Sequence, residues 1–285
     1  MNKLKKYDDF VNENVKTKPV LKYLSLDWDN NILDMPTKIH MLHLVDGKWI
    51  PEQVSTEKFA IVRNDKDNWK PDPEKAYIEF RDNGPRGNNA FIEDMKYAIE
   101  NKKFGPAWKK FLHCLINGSI FSLITARGHE PETMKKGVKY IIDTQLSDDD
   151  KHEMKSNLIA FQHMFDNTFD ILKDYSFEYL VKSYLDKCYF IGVSSDSFNR
   201  KHAGDASNPE KAKIHALNDF IEIIKSYGEK TGANVKVGFS DDDPKNINAV
   251  EKHFNEIKPL YDDIIKFSVI NTNNPEIQGG IKKRI

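Results

Sequence analysis

The sequence predicts an α/β fold: a doubly wound, parallel sheet flanked by helices, with an insertion behind its first strand. Three observations predict it. From residue 117 onward, short apolar runs alternate with stretches of helical periodicity, the rhythm of strand–helix–strand units. Residues 35–115 break that rhythm with a hairpin signature and a loop-rich stretch. Several apolar runs end abruptly in polar residues, as strands do at the edge of such a sheet where ligands bind.

The elements follow in order. Residues 1–17 place Leu4, Tyr7, Phe10 and Val11 at helical spacing among Lys and Asp, which reads as an amphipathic segment docking on its own domain. The segment also resembles the short N-terminal stretches of many phage-encoded proteins. Val20 to Leu26 is a buried parallel strand. IHMLHLV, Asp46-Gly47 and KWI then form a β-hairpin on a tight turn, and FAIVR adds a third strand. The stretch 64–90 is loop-rich around one strand at Ala76–Phe80. Phe91, Met95 and Ile99, then Trp108, Phe111, Leu112 and Leu115, mark helices that end near Asn117-Gly118.

Ile120–Thr125 is the next strand, and Pro131 opens a helix with Met134, Val138, Ile141 and Ile142 on one face. Residues 148–186 read as helical, rich in Phe and Tyr. Tyr189–Val193 is a strand, and Asn208-Pro209 starts a helix carrying Ile214, Leu217, Ile221 and Ile224. Val235, Val237 and Phe239 form another strand, Pro244 opens another helix, and Ile264–Ile270 is the last strand. The expected organisation is a core of 18–34 and 116–285, a helical addition within it at 144–186, and an insertion at 35–115.

Composition narrows the function classes. Hydrophobic residues make up 39% and aromatics 11%, an ordinary globular composition. Lys and Arg number 43 against 44 Asp and Glu, so there is no field for generic nucleic-acid binding, although a local basic groove stays open. Cys114 and Cys188 sit in apolar stretches and read as buried, reduced thiols. No run suits a signal peptide or a membrane span, so the expected protein is soluble, cytoplasmic and without a membrane partner.

The polar clusters behind the strands are Asp27-Trp28-Asp29-Asn30-Asn31, then Thr125-Ala126-Arg127-Gly128, then Lys211 and Lys213 at a helix start, then Ser240-Asp241-Asp242-Asp243-Pro244. Each alone has a structural explanation as a cap, a turn or a solvated face. Together they bring the parts of one reaction to one sheet edge. In this order, DWDNN, LITARG, the lysine and FSDDDPKNI resemble the four motifs of the haloacid dehalogenase (HAD) superfamily, over roughly 18–34 and 117–275.

The resemblance implies a Rossmann-like core and Mg²⁺-dependent phosphatase chemistry. Asp27 would be the nucleophile that forms an aspartyl phosphate, and Asp29 the general acid and then base. Thr125 would hold phosphoryl oxygens, and Lys213, with Lys211 as the substitute, would offset their charge. Asp27, Asp29 through its carbonyl, Asp241 and Asp242 are the expected Mg²⁺ ligands or their neighbours. Asn30 and Arg127 are candidates for contact with substrate, Arg127 being equally suited to pairing with a nearby acid. Asn31 stands where the family usually has Thr or Val, and Trp28 is bulky for its position.

Sequence inserted behind the first motif usually forms a cap in this superfamily. The hairpin with Trp49 and the loop Arg81–Arg86 are therefore expected to meet the leaving group, the alternatives being simple packing or dimerisation. Small phosphorylated metabolites, nucleotides and nucleic-acid ends are the expected substrates. A catalytically silent binding protein on the same fold is the second hypothesis. A receiver domain is rejected, because it would place its acidic pair first and its phosphoacceptor on a later strand.

Overall fold

Strand β1 (Val20–Leu26) lies in the middle of a six-stranded sheet, because its side chains are apolar on both faces. The computed structural model describes residues 20–166, 169–202, 208–261 and 264–285, so the expected N-terminal helix lies outside the described residues. The sheet also contains β5 (Phe121–Thr125), β6 (Tyr189–Gly192), β7 (Asn234–Asp241), β8 (Ile265–Asn271) and β9 (Ile281–Arg284). Their order is β6-β5-β1-β7-β8-β9, and all pairs are parallel except β8 with β9. The expectation of an α/β fold on a mostly parallel sheet is met. Leu26 is in register with both Leu123 and Ser240, so Asp27, Thr125 and Asp241 emerge at one edge.

Each face of the sheet is covered. On one face, Leu26, Trp28, Leu123 and Phe190 pack against α2 (Asn89–Glu100), α3 (Trp108–Ile116), α4 (Pro131–Gln145), α5 (Asp148–Phe165) and α6 (Phe177–Leu185). On the other, Tyr23, Ile124, Val237 and Val269 pack against α8 (Pro209–Thr231) and α9 (Pro244–Ile257), with Phe198 of the short α7 (Asp196–Lys201). Pro at the start of α4, α8 and α9 supplies a φ already suited to a helix, and Gly232 closes α8 in the left-handed region at φ 65°.

Residues 35–115 are of two kinds. Helices α2 and α3 belong to the main core, where Phe91 packs against Trp28 with ring centroids 5.0 Å apart and a 46° tilt. The stretch before them forms a separate antiparallel sheet, β3-β2-β4, from β2 (Ile39–Val45), β3 (Lys48–Val54) and β4 (Trp69–Pro71). It has its own small cluster of Ile39, Met41, Val54, Trp69 and Phe80. The hairpin turn places Asp46 and Gly47 at φ 49° and 77°, the left-handed pair that a two-residue hairpin turn requires.

Three local expectations are corrected, and two strands are added. FAIVR is not a strand; Thr56–Val62 is helix α1, started by the Ser55 hydroxyl accepting from the Lys58 amide. Ala76–Phe80 is not a strand either; Ile78–Phe80 is a 3₁₀ turn. The stretch 148–186 is not continuous helix, since α5 ends at Phe165 and the Ser176 cap opens α6. The unpredicted strands β4 and β9 complete their sheets from outside. Cys114 and Cys188 are free and buried, as expected. Among the described residues, no helix is long and apolar enough to cross a membrane.

Candidate active site at the carboxyl edge

Asp27 follows directly on β1 and is almost wholly buried, with its amide donating to the Ser240 carbonyl at 2.9 Å. Lys213 comes from the first turns of α8 and is 3% exposed; its ammonium donates to Asp27 Oδ1 at 2.9 Å and Asp241 Oδ2 at 2.8 Å. Lys211, two residues earlier, is exposed and does not join this contact; only its backbone amide caps the helix, on Asn208. Asp241 ends β7 with no exposure, and the Asn246 amide donates to both of its oxygens at 3.0 Å.

The carboxylates of Asp27, Asp241 and Asp242 offer oxygens that all lie within 4.8 Å of one another. Three acids face one ammonium, so with all three ionised the cluster would carry two negative charges in excess. The titration of the group reflects that imbalance. Burial holds the Asp27 carboxyl well above the carboxylate range; Lys213 opposes this, and Asp241 and Asp242 reinforce it. Burial and the neighbouring Asp241 push Asp242 up to about 7, against Lys213. Burial alone would lower the Lys213 pKa, but the Asp241 and Asp27 carboxylates outweigh it and hold the ammonium charged.

Asn31 explains itself here. It has no exposure, and its amide nitrogen donates to the Asp27 carbonyl at 3.0 Å and the Ser240 carbonyl at 3.1 Å. Its amide oxygen accepts from the Ser240 hydroxyl at 3.1 Å and the Thr272 hydroxyl at 2.8 Å. All four of its hydrogen-bonding positions are filled. The residue therefore ties the ends of β1, β7 and β8 together. Asn30 beside it takes φ 54°, a left-handed conformation that Asn tolerates, and accepts from the Thr56 hydroxyl at 3.3 Å.

Asp29 points elsewhere than the acidic cluster. Arg127 grips its carboxylate with Nε at 2.8 Å and Nη2 at 2.6 Å. Arg127 is 1% exposed, lies over the Phe80 ring at 4.6 Å, and also donates to the Thr37 hydroxyl at 2.9 Å. Thr37 in turn donates to Asp94, which Arg86 holds at 2.8 and 3.0 Å. Of the two roles open to Arg127 from sequence, the geometry gives it the pairing with an acid; its Nη1 alone has no hydrogen-bond partner. Thr125 is buried, its hydroxyl accepting from the Arg127 amide at 3.3 Å.

The small antiparallel sheet touches this edge on two sides. The Phe80 carbonyl accepts from the Gly128 amide at 2.8 Å, and Arg81 bridges Gly128. A cleft of about 230 Å³ opens there, lined by Arg81, Asp82, Asn83, Gly128, Glu130 and Asp196. Across the edge, Arg63 at the end of α1 pairs with Asp243 at 2.7 Å, and Lys245 reaches Asn64 at 3.4 Å. Trp49 lies on the outer strand β3, under the Lys70 ammonium at 4.1 Å. Sequence reasoning does not find Thr37, Asp94, Arg63 or the bonding role of Asn31, because their partners lie far away along the chain.

Comparison with family models, curated proteins and solved structures finds no match to this chain. The functional reading therefore rests on the site itself.

Proposed function

We propose that this protein is a Mg²⁺-dependent phosphatase of the HAD type that works through a phosphoryl group carried on Asp27. The observation that carries the reading is the buried Lys213, which bridges Asp27 and Asp241 inside a cluster of three converging carboxylates. An ammonium so placed neutralises only part of the charge, and the remaining oxygen donors suit a hard divalent cation. Asp27, Asp241 and Asp242 would hold Mg²⁺, with the Asp29 carbonyl as a further ligand. When bound, the ion supplies charge neutralisation at the phosphoryl oxygens.

The residues of the chain do the rest. An Asp27 oxygen attacks phosphorus, forming an acyl phosphate as the bond to the leaving oxygen breaks. Asp29 gives its proton to that oxygen, then takes one from the water that attacks the Asp27-bound phosphorus, and phosphate departs. In this structure Arg127 holds both oxygens of the Asp29 carboxylate and turns it from the acidic cluster, so Asp29 would leave that pair and take up a proton before the first transfer. Thr125 and nearby amides receive the phosphoryl oxygens, and Lys213 offsets charge shared between them and Asp27. Asn31 holds the Asp27 backbone and takes no part in proton transfer, so its departure from the family pattern does not argue against turnover.

The β3-β2-β4 sheet with α1 serves as the cap, excluding water and facing the leaving group through the Arg81–Arg86 loop. The substrate is a phosphomonoester: a small metabolite, a nucleotide or a nucleic-acid end. The protein would act in the cytoplasm, that of the host if it is phage-encoded. A phosphomonoester panel assayed with Mg²⁺ and with EDTA tests the proposal. Turnover that needs the cation supports it; a folded protein that hydrolyses no member of the panel in Mg²⁺ overturns it.

A further inference from the structure

Beside the acidic cluster the same edge carries an aromatic surface that the proposed phosphatase chemistry does not use. Phe104 and Trp108 stack nearly parallel, with centroids 4.6 Å apart and a 13° tilt. Trp108 is buried beneath, while Phe104 is 38% exposed. The exposed ring is thus backed by a second ring that holds it in one orientation.

This surface is fixed to the candidate catalytic loop by backbone. Leu33 bridges Asp29 on one side and Phe104 on the other, so about two strand spacings, roughly 10 Å, separate the Asp29 and Phe104 backbones. The Asp34 amide donates to the Lys103 carbonyl, the Gly105 amide to Ile32, and the Ala107 amide to Asn31. Gly105 allows this approach, since a Cβ there would lie 2.4 Å from the Asn31 carbonyl oxygen and 2.6 Å from that of Asn30.

The surroundings are cationic. Lys102, Lys103 and Lys109 are exposed and form no ion pair within 4.0 Å with a described residue; Lys103 faces Asp34. The Lys110 ammonium bonds the Gly279 carbonyl at 2.8 Å, and burial together with the nearby Lys282 lowers its pKa. Lys282 and Arg284 are exposed on the edge strand β9, while the intervening Lys283 pairs with Glu251. The balanced net charge of the chain is therefore unevenly spread at this rim.

An exposed ring of fixed orientation beside exposed lysines, Lys103 among them facing Asp34, suits single-stranded nucleic acid, the ring for a base and the ammonium groups for phosphates. A small phosphometabolite needs neither. We infer that Phe104 is a stacking platform for single-stranded nucleic acid, with Lys102, Lys103 and Lys282 on the adjoining phosphates, and that the strand's phosphorylated end enters at Asp27. The last clause alone rests on the phosphatase reading; binding does not.

The test is fluorescence anisotropy of the full chain with a labelled oligothymidylate in EDTA, beside hydrolysis of a terminally phosphorylated oligonucleotide and an aryl phosphate in Mg²⁺. Phe104→Leu keeps an apolar side chain and should weaken oligonucleotide binding about tenfold, while Phe104→Trp restores it. Lys102→Gln with Lys103→Gln should reduce the slope of log affinity on log salt by about 1.4. None of these changes should move aryl phosphate turnover. The inference is overturned if wild type binds the oligonucleotide no better than thymidine monophosphate, or if folded Phe104→Leu binds as wild type does. Binding that follows the expected pattern with no turnover on any phosphate would uphold the platform and sink the phosphatase reading instead.

Discussion

Replacing Asn31 isolates a structural task from the chemistry beside it. Asn31→Ala removes two donors from the Asp27 and Ser240 carbonyls and two acceptor positions from the Ser240 and Thr272 hydroxyls, in a place with no exposure. Each neutral hydrogen bond contributes about 1 kcal/mol net, and groups left unpaired in a buried site cost more. The hydroxyls can turn toward other partners, which returns part of the loss. The expected destabilisation is about 3 kcal/mol, read by urea denaturation with an unchanged m-value. At this chain length that corresponds to a fall in Tm of about 5 °C. Asn31→Thr, which keeps one hydroxyl, should lose less than Asn31→Ala. A loss under about 1 kcal/mol for Asn31→Ala would refute the view that this side chain ties three strands together.

Three further outcomes follow from the same geometry. Arg127→Met leaves the Asp29 carboxylate and the Thr37 hydroxyl without their buried cation; the expected loss is about 3 kcal/mol, and a double-mutant cycle with Asp29→Asn should show coupling. Additive effects would mean that the pair does not hold Asp29. Lys213→Met should lower turnover by at least about a hundredfold and strengthen the dependence on divalent cation, since it leaves the three acids unopposed; an unimpaired variant would remove Lys213 from the mechanism. His129, buried beside Arg127 although bonded to Asp82, has its pKa lowered to about 4. Between about 4 and the ordinary 6.5 the unfolded chain binds a proton that the folded chain does not, so stability rises with pH across that window and is level above it. The contribution is at most about 3 kcal/mol. The difference in stability between wild type and His129→Gln should carry that slope across this range, since the opposing slope from the raised Asp27 and Asp242 carboxyls is common to both proteins.

How much of this is legible in the sequence depends on the distance over which each partner acts. The parallel sheet is legible because burial on both faces leaves continuous apolar runs such as VLKYLSL and FSLIT. The acids and the lysine are legible because strand ends mark the edge where they emerge, and the register of β1, β5 and β7 places them together. Helix α1 misleads because Phe59, Ile61 and Val62 favour a strand locally; the signal that outweighs them is the Ser55 cap with Glu57 in the first turn. Strand β9 is hidden by its charges, which an exposed edge strand can carry. The task of Asn31 is not visible at all, since Ser240 and Thr272 lie 209 and 241 residues away. The same is true of the path from Arg127 through Thr37 to Asp94.

Nucleophilic attack by Asp27 is the central claim, and trapping the covalent intermediate tests it most directly. Enzyme quenched in acid during turnover of an aryl phosphate in Mg²⁺ would be digested and mapped by mass spectrometry. The expected result is a phosphoryl adduct on the peptide containing Asp27, absent in EDTA and absent, together with turnover, from folded Asp27→Asn. Full turnover by the Asp27→Asn protein, or an adduct on any other residue, would contradict the account.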